Sequence, residues 1–331
     1  MAFTYFYFCY LSAVSLLKAD VIGFIMSFFR RIKLKRMKKK AAMEKMLADK
    51  VEELAKDAWR KTEELDSEYK NIYWEIYRIP WYRPFKRRSM KRNLQNLVYE
   101  YYKTQEEAAE MDKVTQQIRE KSNTMYNLAE AEKISQQLSD KPDDINTIRQ
   151  WLLNPPNRDK ASSLKENKKK IPKTKGIYAW YFKHDSLPVP SNSYFKVDDF
   201  ELLYVGIAGK SPESKGDLRD RIYNKHINGN AEGSTLRFSL GVLLRRKGSP
   251  LELKRKGIIK KRIKWSNEDY ITEWICDNAL VAWIEHKRPW KVEESAVKNL
   301  GHLLPLNIKH NKENLFAQEL NRERESLKNK I

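Results

Sequence analysis

The sequence predicts an α+β protein in which a long helical arm precedes a small antiparallel sheet flanked by helices. Residues 41–153 contain no Gly and are rich in Ala, Glu, Lys, Gln and Leu, a composition typical of long helices. Two short β-branched and aromatic runs, 175–182 and 202–208, lie in the second half and are typical of strands. The 331 residues suffice for two domains, or for one domain with a long appendage.

Residues 1–29 form a hydrophobic N-terminal segment with Lys18 and Asp20 as its only charges. Eight of the eleven residues from 30 to 40 are Lys or Arg. A basic cluster on this side of an apolar run favours a membrane anchor with the rest of the chain in the cytoplasm. Two alternatives stay open, a segment lying on the membrane surface and a misassigned start that should be Met26. The predicted location is cytoplasmic, either free or tethered through residues 1–40.

Residues 30–157 are predicted to form a basic, coiled-coil-like helical arm that can also self-associate. Pro80 and Pro84 interrupt the helical pattern, which predicts a turn between two helices from about Ile79 to Phe85. A third short helix is predicted from Asp143 to Leu153. Apolar residues at a three–four spacing are predicted to pack the two long helices together: Leu47, Val51, Leu54, Ala58, Leu65 and Ile72 in the first, and Leu94, Leu97, Tyr101, Ala108, Met111, Ile118 and Met125 in the second.

The predicted turn is rich in aromatic and basic residues. Such a mixture can stack on bases and neutralise phosphates. The aromatic side chains can equally seal the end of the hairpin while the charges face solvent, and the sequence favours this second interpretation. The residues concerned are Tyr73, Trp74, Tyr77, Trp81, Tyr82 and Phe85, with Arg78, Arg83, Lys86, Arg87 and Arg88.

Residues 158–170 are predicted to be a linker because they are rich in Lys, contain two Ser and one Asn, and show no apolar period. The C-terminal domain, residues 171–331, begins with the two strand runs. Each run carries a tyrosine, Tyr178 or Tyr204, and a helix that includes Arg221 is predicted to follow. Two strand-borne tyrosines followed by a helix-borne arginine form a pattern with a known counterpart.

This order of motifs resembles the GIY-YIG nuclease family. Residues 176–178 read Gly-Ile-Tyr and residues 204–206 read Tyr-Val-Gly, a common variant of the second signature. Arg221 occupies the position of the helix-borne arginine of the family. Residues 290–297, followed by Pro-Leu-Asn at 305–307, resemble its late block with a metal-binding glutamate. The resemblance covers about half of the chain and implies an endonuclease that hydrolyses phosphodiester bonds with Mg²⁺ or Mn²⁺.

The resemblance also implies roles for the individual residues. Tyr204 would be the general base, which requires nearby cations to lower its pKa. Tyr178 would form a hydrogen bond to the attacking water or to the base and fix its direction. Arg221 would stabilise charge on the phosphate. Asn307 would complete the site by positioning another group or by contacting phosphate. His226 lies five residues after Arg221, whereas the histidine of many family members lies four after it, so its role as a proton relay stays open against that of an ordinary helix-end histidine.

A single carboxylate is expected to hold the cation, because Mg²⁺ in such sites keeps several of its waters. Glu293 is favoured by its position in the motif, and Glu294 is the alternative. Only one of two successive residues on a helix can face the site.

The formal net charge of +21 favours a polyanionic partner, either nucleic acid or an anionic membrane surface. Charge does not separate DNA from RNA, and DNA is the expected substrate of the nuclease that the resemblance implies. The segment from 245 to 264 holds ten Lys or Arg and one acid, and is predicted to follow phosphates in a salt-dependent way. A merely solvated basic face is the alternative. The predicted contacts are Arg245, Arg246, Lys247, Lys254, Arg255, Lys256, Lys260, Lys261, Arg262 and Lys264.

Two cysteines exclude a disulfide framework and a Cys-rich zinc site, and glycine-rich nucleotide motifs are absent from the sequence. The sequence therefore predicts a metal-dependent DNA endonuclease. Two other functions stay open: a nucleic-acid-binding module without catalysis, and a membrane-tethered coiled-coil scaffold.

Overall fold

The computed structural model describes residues 2–80, 82–190, 195–256 and 262–331. Side chains are described for 32–80, 82–190, 195–255 and 263–331. The chain divides into two compact units, residues 1–129 and 130–331, and each is considered by itself.

The first unit contains helix α1, Ala2–Arg78, and the N-terminal part of helix α2, Pro84–Asp140. The turn between them lies where the two prolines predict it. Polar contacts join the two helices, including Trp59 Nε1 to Asp112 at 2.8 Å and Ser122 Oγ to the carbonyl of Ala41 at 2.8 Å. The predicted helical hairpin is therefore present.

Small side chains pack the interior of this hairpin. Residues that recur every seventh position are buried: Ala41, Ala48, Ala55 and Thr62 on α1, and Ala108, Thr115, Ser122 and Ala129 on α2. Such residues let two helix backbones approach closely, so that larger side chains are displaced to the margins.

The prediction of the packed faces is partly wrong for this reason. Leu65, Leu97 and Ala108 are buried as predicted, whereas Leu47 and Leu54 are 49% and 57% exposed. The other predicted positions are half-buried: Val51, Ala58, Ile72, Leu94, Tyr101, Met111, Ile118 and Met125.

Within the part of the chain that the structure describes, no helix is long and apolar enough to span a membrane. The side chains of residues 1–29, on which the predicted anchor depends, lie outside the described residues. Membrane contact through residues 1–40 and self-association of the arm stay predictions.

The second unit is built on a five-stranded antiparallel sheet with the strand order β1-β7-β2-β4-β3. Its strands are β1 Arg158–Lys160, β2 Gly176–Lys183, β3 Lys196–Val197, β4 Phe200–Ala208 and β7 Ala279–Glu285. A separate hairpin pairs β5, Leu253–Lys256, with β6, Arg262–Trp265. The helices are α3 Ile145–Leu153, α4 Ala161–Glu166, a π-helix Asp220–Ile227, α5 Thr235–Arg246, α6 Glu268–Asn278, α7 Pro289–Leu300 and α8 Leu315–Asn329. This confirms the predicted α+β class.

Each face of the sheet has its own core because side chains alternate along β2. Tyr178, Trp180 and Phe182 point to the face covered by α4, α5, α6, α8 and the π-helix. Ile177, Ala179 and Tyr181 point to the face covered by α3 and α7. The first of these faces carries the candidate site.

Residues 158–170 are not a linker. They form β1, α4 and a short 3₁₀ helix, and β1 pairs with β7 from Arg158↔Ala282 to Lys160↔Leu280. Ala161 and Leu164 are fully buried. No apolar period marks this segment in the sequence. Strand β1 is held by backbone hydrogen bonds to β7, and the short helix α4 needs only two apolar side chains to pack against the domain.

The end of the predicted arm also belongs to the second unit, whose boundary falls at 129/130 and not at 157/158. Trp151 and Leu152 of α3 are fully buried against the sheet, and the Tyr181 hydroxyl donates to the carbonyl of Leu152 at 2.8 Å. Helix α3 therefore packs as part of the C-terminal domain.

Candidate active site

Neighbouring strands place the two signature tyrosines side by side. Tyr178 on β2 pairs with Gly206 on β4, and Tyr204 pairs with Trp180. The register shifts by one residue beside Tyr204, so that Leu203 is an extra residue in β4. A β-bulge of this kind reorients the side chain next to it. The two phenol rings lie on the same face with their centroids 6.3 Å apart.

Gly206 provides the space in which the Tyr178 ring lies. A Cβ atom at this position would be 2.6 Å from both Cζ and the hydroxyl oxygen of Tyr178. The Gly206 backbone is not in the left-handed region, so the requirement for glycine here is steric. Any larger side chain would displace the tyrosine.

The π-helix brings His226 to the tyrosines. Its Nε2 lies 2.7 Å from the Tyr178 hydroxyl, and the imidazole is fully buried. A π-helix bonds residue i to i+5, as Asn228 N does to the carbonyl of Tyr223 at 2.9 Å. Residues five apart therefore lie near one another along the helix axis, as residues four apart do in an α-helix. The extra residue between Arg221 and His226 is accommodated in this way.

A hydrogen-bonded chain holds His226 from behind. Its Nδ1 lies 2.7 Å from Oγ of Ser234, and Ser234 caps helix α5 by accepting from the backbone N–H of Arg237 at 3.0 Å. The fully buried Arg237 donates to the carbonyls of His226 at 3.2 Å and Ile227 at 2.8 Å, and pairs with Glu268 at 2.8 Å. The end of the π-helix is thus fixed by α5 and α6.

Burial determines the protonation states of this cluster. It raises the pKa of Tyr178 well above its ordinary value and lowers the pKa of His226 well below its own, so the imidazole is neutral. The pKa of Tyr204 is also raised by burial, although a hydrogen bond from Thr235 and the charge of Arg221 oppose the shift. The sequence argument expected cations to lower this pKa, and among the described residues burial outweighs them.

Arg221 lies beside the tyrosines and has a hydrogen-bond donor that no described residue pairs. Its guanidinium lies close enough to Tyr178 to oppose the rise in the pKa of that phenol. Its Nε is buried and has no acceptor among the described residues. A buried donor without a partner is costly, and a phosphate oxygen would satisfy it.

Helix α7 presents Glu293 to the site. Glu293 is partly buried and its charge acts on both signature tyrosines, whereas Glu294 is exposed. Burial raises the pKa of Glu293, opposed by the charges of Lys309, Lys210 and Arg221. Glu293 is therefore the carboxylate that lies at the site.

The donors present fit a hard divalent cation. The described residues contain no group of three or more His, Cys, Asp or Glu placed to hold a metal. One carboxylate, Glu293, with phenol oxygens close by is a donor set of oxygen atoms only. Mg²⁺ prefers oxygen and is commonly held by one or two carboxylates while it keeps several waters.

Residues 176–326 match the family model described as the GIY-YIG catalytic domain. The C-terminal region is a GIY-YIG domain. The match spans both tyrosines, Arg221, His226 and Glu293, and confirms the family that the sequence motifs indicate. Searches of curated proteins and of solved structures find no match to this chain.

Asn307 in the GIY-YIG domain binds the strand that carries Tyr204. Its Oδ1 accepts from the N–H of Val205 at 2.9 Å, and its Nδ2 donates to the carbonyl of Val205 at 2.7 Å. The neighbouring Leu306 N–H bonds the carbonyl of Leu203 at 3.1 Å. Both ends of the Asn307 amide are thus occupied, which favours the positioning role over contact with phosphate.

Two of the predicted nucleic-acid contacts, Arg246 and Lys247, form bonds within the protein. Arg246 pairs with Glu319 at 2.9 Å and with Glu323 at 2.7 Å, so it ties α5 to α8. Lys247 donates to the carbonyls of Asp185 and Ser186.

The β5–β6 hairpin keeps part of the predicted basic surface. Lys254 stands opposite Lys264 and pairs with Glu252 at 3.1 Å, Arg255 bonds the carbonyl of Lys328 at 3.2 Å, and Arg245 is exposed. Lys260 and Lys261, and the side chains of Lys256 and Arg262, lie outside the described residues.

Sequence reasoning missed several residues of the GIY-YIG domain that shape the site. These are Ser234 and Arg237 behind His226, Thr235 on Tyr204, and Lys210 and Lys309 near Glu293. Ser234 had a recognisable signal, since a serine directly before an apolar helix is a typical N-cap. The two lysines had none that separates them from the many others.

Proposed function

We propose that the GIY-YIG domain is a metal-dependent endonuclease that hydrolyses phosphodiester bonds, in DNA more than in RNA, with Tyr204 as the general base. Membership of the family supports nuclease activity. The observation that carries the proposal is Arg221, whose buried Nε lacks an acceptor among the described residues while its guanidinium lies against the signature tyrosines. A phosphate is the ligand whose oxygens match such a donor.

The hydrogen-bond polarity supports Tyr204 as the proton acceptor. In our assignment the Ser234 hydroxyl donates to Nδ1 of His226, and Nε2–H donates to the Tyr178 oxygen. The Tyr178 hydroxyl is then free to donate to Tyr204, which also accepts from Thr235. Two donors on one phenol oxygen stabilise the phenolate, the form of Tyr204 that acts as a base. His226 remains neutral throughout, in agreement with its lowered pKa.

The proposed reaction is an in-line displacement. A water oxygen forms a bond to phosphorus while Tyr204 takes one of its protons, and the bond from phosphorus to the leaving oxygen breaks. Arg221 donates to a non-bridging oxygen, where negative charge increases. The leaving oxygen is protonated by solvent, which gives a phosphate monoester and a free hydroxyl.

Glu293 would hold the divalent cation of this site. The cation supplies positive charge that stabilises the phosphate in the transition state and lowers the pKa of a neighbouring tyrosine. Lys210 and Lys309 lie close enough to Glu293 to affect its pKa. They add positive charge near Glu293, which favours the binding of an anionic nucleic-acid backbone.

The test compares two tyrosine-to-phenylalanine variants of the full chain on supercoiled plasmid with Mg²⁺ at low salt. Tyr204→Phe should lose cleavage by about 10²–10⁴-fold and keep binding DNA. Tyr181→Phe is the matched control, because it removes one buried hydroxyl from the opposite face of the same sheet. It should cleave at close to the wild-type rate. An RNA of the same sequence tests the preference for DNA.

Full activity of Tyr204→Phe would overturn its role as the base. A wild-type protein that binds DNA without cleaving it under any divalent cation would point to the non-catalytic binding module. A cytoplasmic location stays a prediction.

A further inference from the structure

The turn of the helical hairpin exposes an unusual number of aromatic side chains. We call residues 73–92 the arm tip. Five of its aromatic residues are largely exposed: Tyr73 at 48%, Trp74 at 58%, Tyr77 at 73%, Tyr82 at 63% and Phe85 at 87%. The interpretation that aromatic side chains seal the hairpin is therefore wrong for these five. The side chain of Trp81 lies outside the described residues. Exposed apolar groups gathered in one place usually mark a binding surface.

The aromatic rings of the arm tip stand at steep angles to one another. Tyr73 and Trp74 have centroids 5.8 Å apart with ring planes at 79°, and Trp74 and Tyr77 are 6.2 Å apart at 81°. Tyr73 also stacks on Tyr69, with ring centroids 6.1 Å apart, whereas Trp74 and Tyr77 make only edge contacts with the rings that the structure describes. With about half or more of each side chain exposed, a flat ligand has access to the rings.

The arm tip also carries positive charge without compensation. One acidic residue, Glu75, stands against seven basic ones, which are Arg78, Arg83, Lys86, Arg87, Arg88, Lys91 and Arg92. None of the seven forms an ion pair with a carboxylate among the described residues. Elsewhere on the arm such pairs are common, for example Lys70 with Asp66 at 2.6 Å and Lys121 with Glu44 at 2.9 Å. The tip therefore attracts an anion, and the body of the arm much less so.

We propose that the arm tip binds a single-stranded segment of the nucleic acid that the GIY-YIG domain cleaves. The proposal rests on the proposed nuclease function and names the form of nucleic acid that the arm selects. Exposed rings stack on bases whose faces are open, which a duplex does not offer, and arginine forks bind the phosphates between them. The tip combines both elements within twenty residues of sequence.

The arm tip fits a membrane surface or a second copy of the chain less well. Ile76 is only 7% exposed and Ile79 is half-buried, so the arm tip offers few aliphatic side chains for insertion into the lipid hydrocarbon. Its exposed apolar surface is mainly aromatic, as stacking on bases requires. A second copy would bring a second cluster of seven cations against the first. A polyanion with flat rings can stack on the exposed aromatic side chains and neutralise the seven cations.

Fluorescence anisotropy of labelled oligonucleotides tests the proposal. The full chain carries Tyr204→Phe to prevent cleavage, and the probes are a 30-nucleotide single strand and a duplex of the same length. Trp74→Ala with Tyr77→Ala should weaken single-strand binding about 30-fold, since about 1 kcal/mol is lost for each base stacked and 1.4 kcal/mol is tenfold. Duplex binding should change less than about threefold.

The matched control is Tyr99→Ala with Tyr102→Ala, which removes two rings of similar exposure, 71% and 63%, from the same hairpin away from the tip. It should bind both probes like the parent. Arg87→Gln with Arg88→Gln should weaken both probes and reduce the salt dependence by about one unit of slope for each phosphate that is no longer neutralised. All of these positions are exposed or half-buried, so circular dichroism should show an unchanged helical content.

Unchanged single-strand binding by the Trp74 and Tyr77 variant would overturn the proposal. So would an equal loss in the Tyr99 and Tyr102 control. A loss confined to binding of anionic phospholipid vesicles, or to self-association in sedimentation, would assign the tip to a membrane or to a second copy and would also overturn it. These outcomes are independent of nuclease activity, because plasmid cleavage by the wild-type chain is measured separately.

Discussion

Removal of the Asn307 side chain separates the two roles that the sequence left open for it. In Asn307→Ala the N–H and carbonyl of Val205 lose partners at 2.9 and 2.7 Å, and Val205 is fully buried. Each buried group left without a partner costs about 1–3 kcal/mol, so the loss is roughly 2–6 kcal/mol. A domain has only about 5–15 kcal/mol of stability in total. The variant should therefore be markedly destabilised, and β4 most of all.

Urea unfolding and hydrogen exchange measure this effect. The unfolding midpoint of Asn307→Ala should fall at nearly constant slope, and peptides covering β4 should exchange faster than in wild type. At a temperature where the variant is folded, kcat should fall because Tyr204 is less well placed, while KM for DNA should change little. Asn299→Ala, on the exposed side of α7, is the control and should behave like wild type.

An unchanged midpoint combined with a raised KM would refute the reasoning. That result would mean that Asn307 contacts phosphate and that its bonds to Val205 contribute little.

Three further predictions concern the reacting groups. Burial raises the pKa of Tyr204 in the metal-free protein, and only the ionised phenol is a base. The rate kcat/KM should therefore rise with pH, by up to about tenfold per pH unit below the pKa that Tyr204 has when the cation is bound. A rate that falls as the pH rises from 6 to 9 would exclude Tyr204 as the base. Glu293→Gln should abolish Mg²⁺-dependent cleavage and raise the melting temperature in EDTA, by about 2–4 °C for each kcal/mol of added stability. The folded protein gains stability because the pKa of Glu293 is raised, so that its ionisation at neutral pH destabilises the fold. Glu294→Gln should change neither property, and the opposite result for the two variants would make Glu294 the metal ligand. Arg221→Lys keeps the charge but loses the fork of donors, so kcat should fall about 10²-fold, and a variant with wild-type kcat would show that charge alone suffices.

The parts of the fold that the sequence predicts well are those with local signals. Pro80 and Pro84 end one helix and begin the next wherever the rest of the chain lies. Tyr178 and Tyr204 stand in short β-branched runs, so their strands and their shared face follow from the alternation of side chains. The family could also be predicted from the sequence, because its motifs are short, local and follow one another in a fixed order.

Other features depend on contacts between distant segments and leave no local pattern. The position of His226 depends on the type of helix that carries it, and no residue between 220 and 227 marks a π-helix in advance. Arg237 looks like one of many cations until the carbonyls of residues 226 and 227 are seen to surround it. The hydrophobic pattern predicts that leucines pack the hairpin, whereas alanines and threonines do so in the structure. Two helix backbones can approach closely only where the side chains between them are small.

Gly206, the glycine of the second signature, makes the two signatures depend on each other sterically. The phenol ring of Tyr178 occupies the space that a side chain at position 206 would need. A methyl group at 206 would force the tyrosine to move, and a smaller residue at 178 would leave a void in the sheet. The two signatures, 28 residues apart in sequence when counted from Gly176 to Tyr204, are in this sense one steric unit. A substitution of Gly206 that keeps Tyr178 would therefore change the geometry of the reacting groups as well.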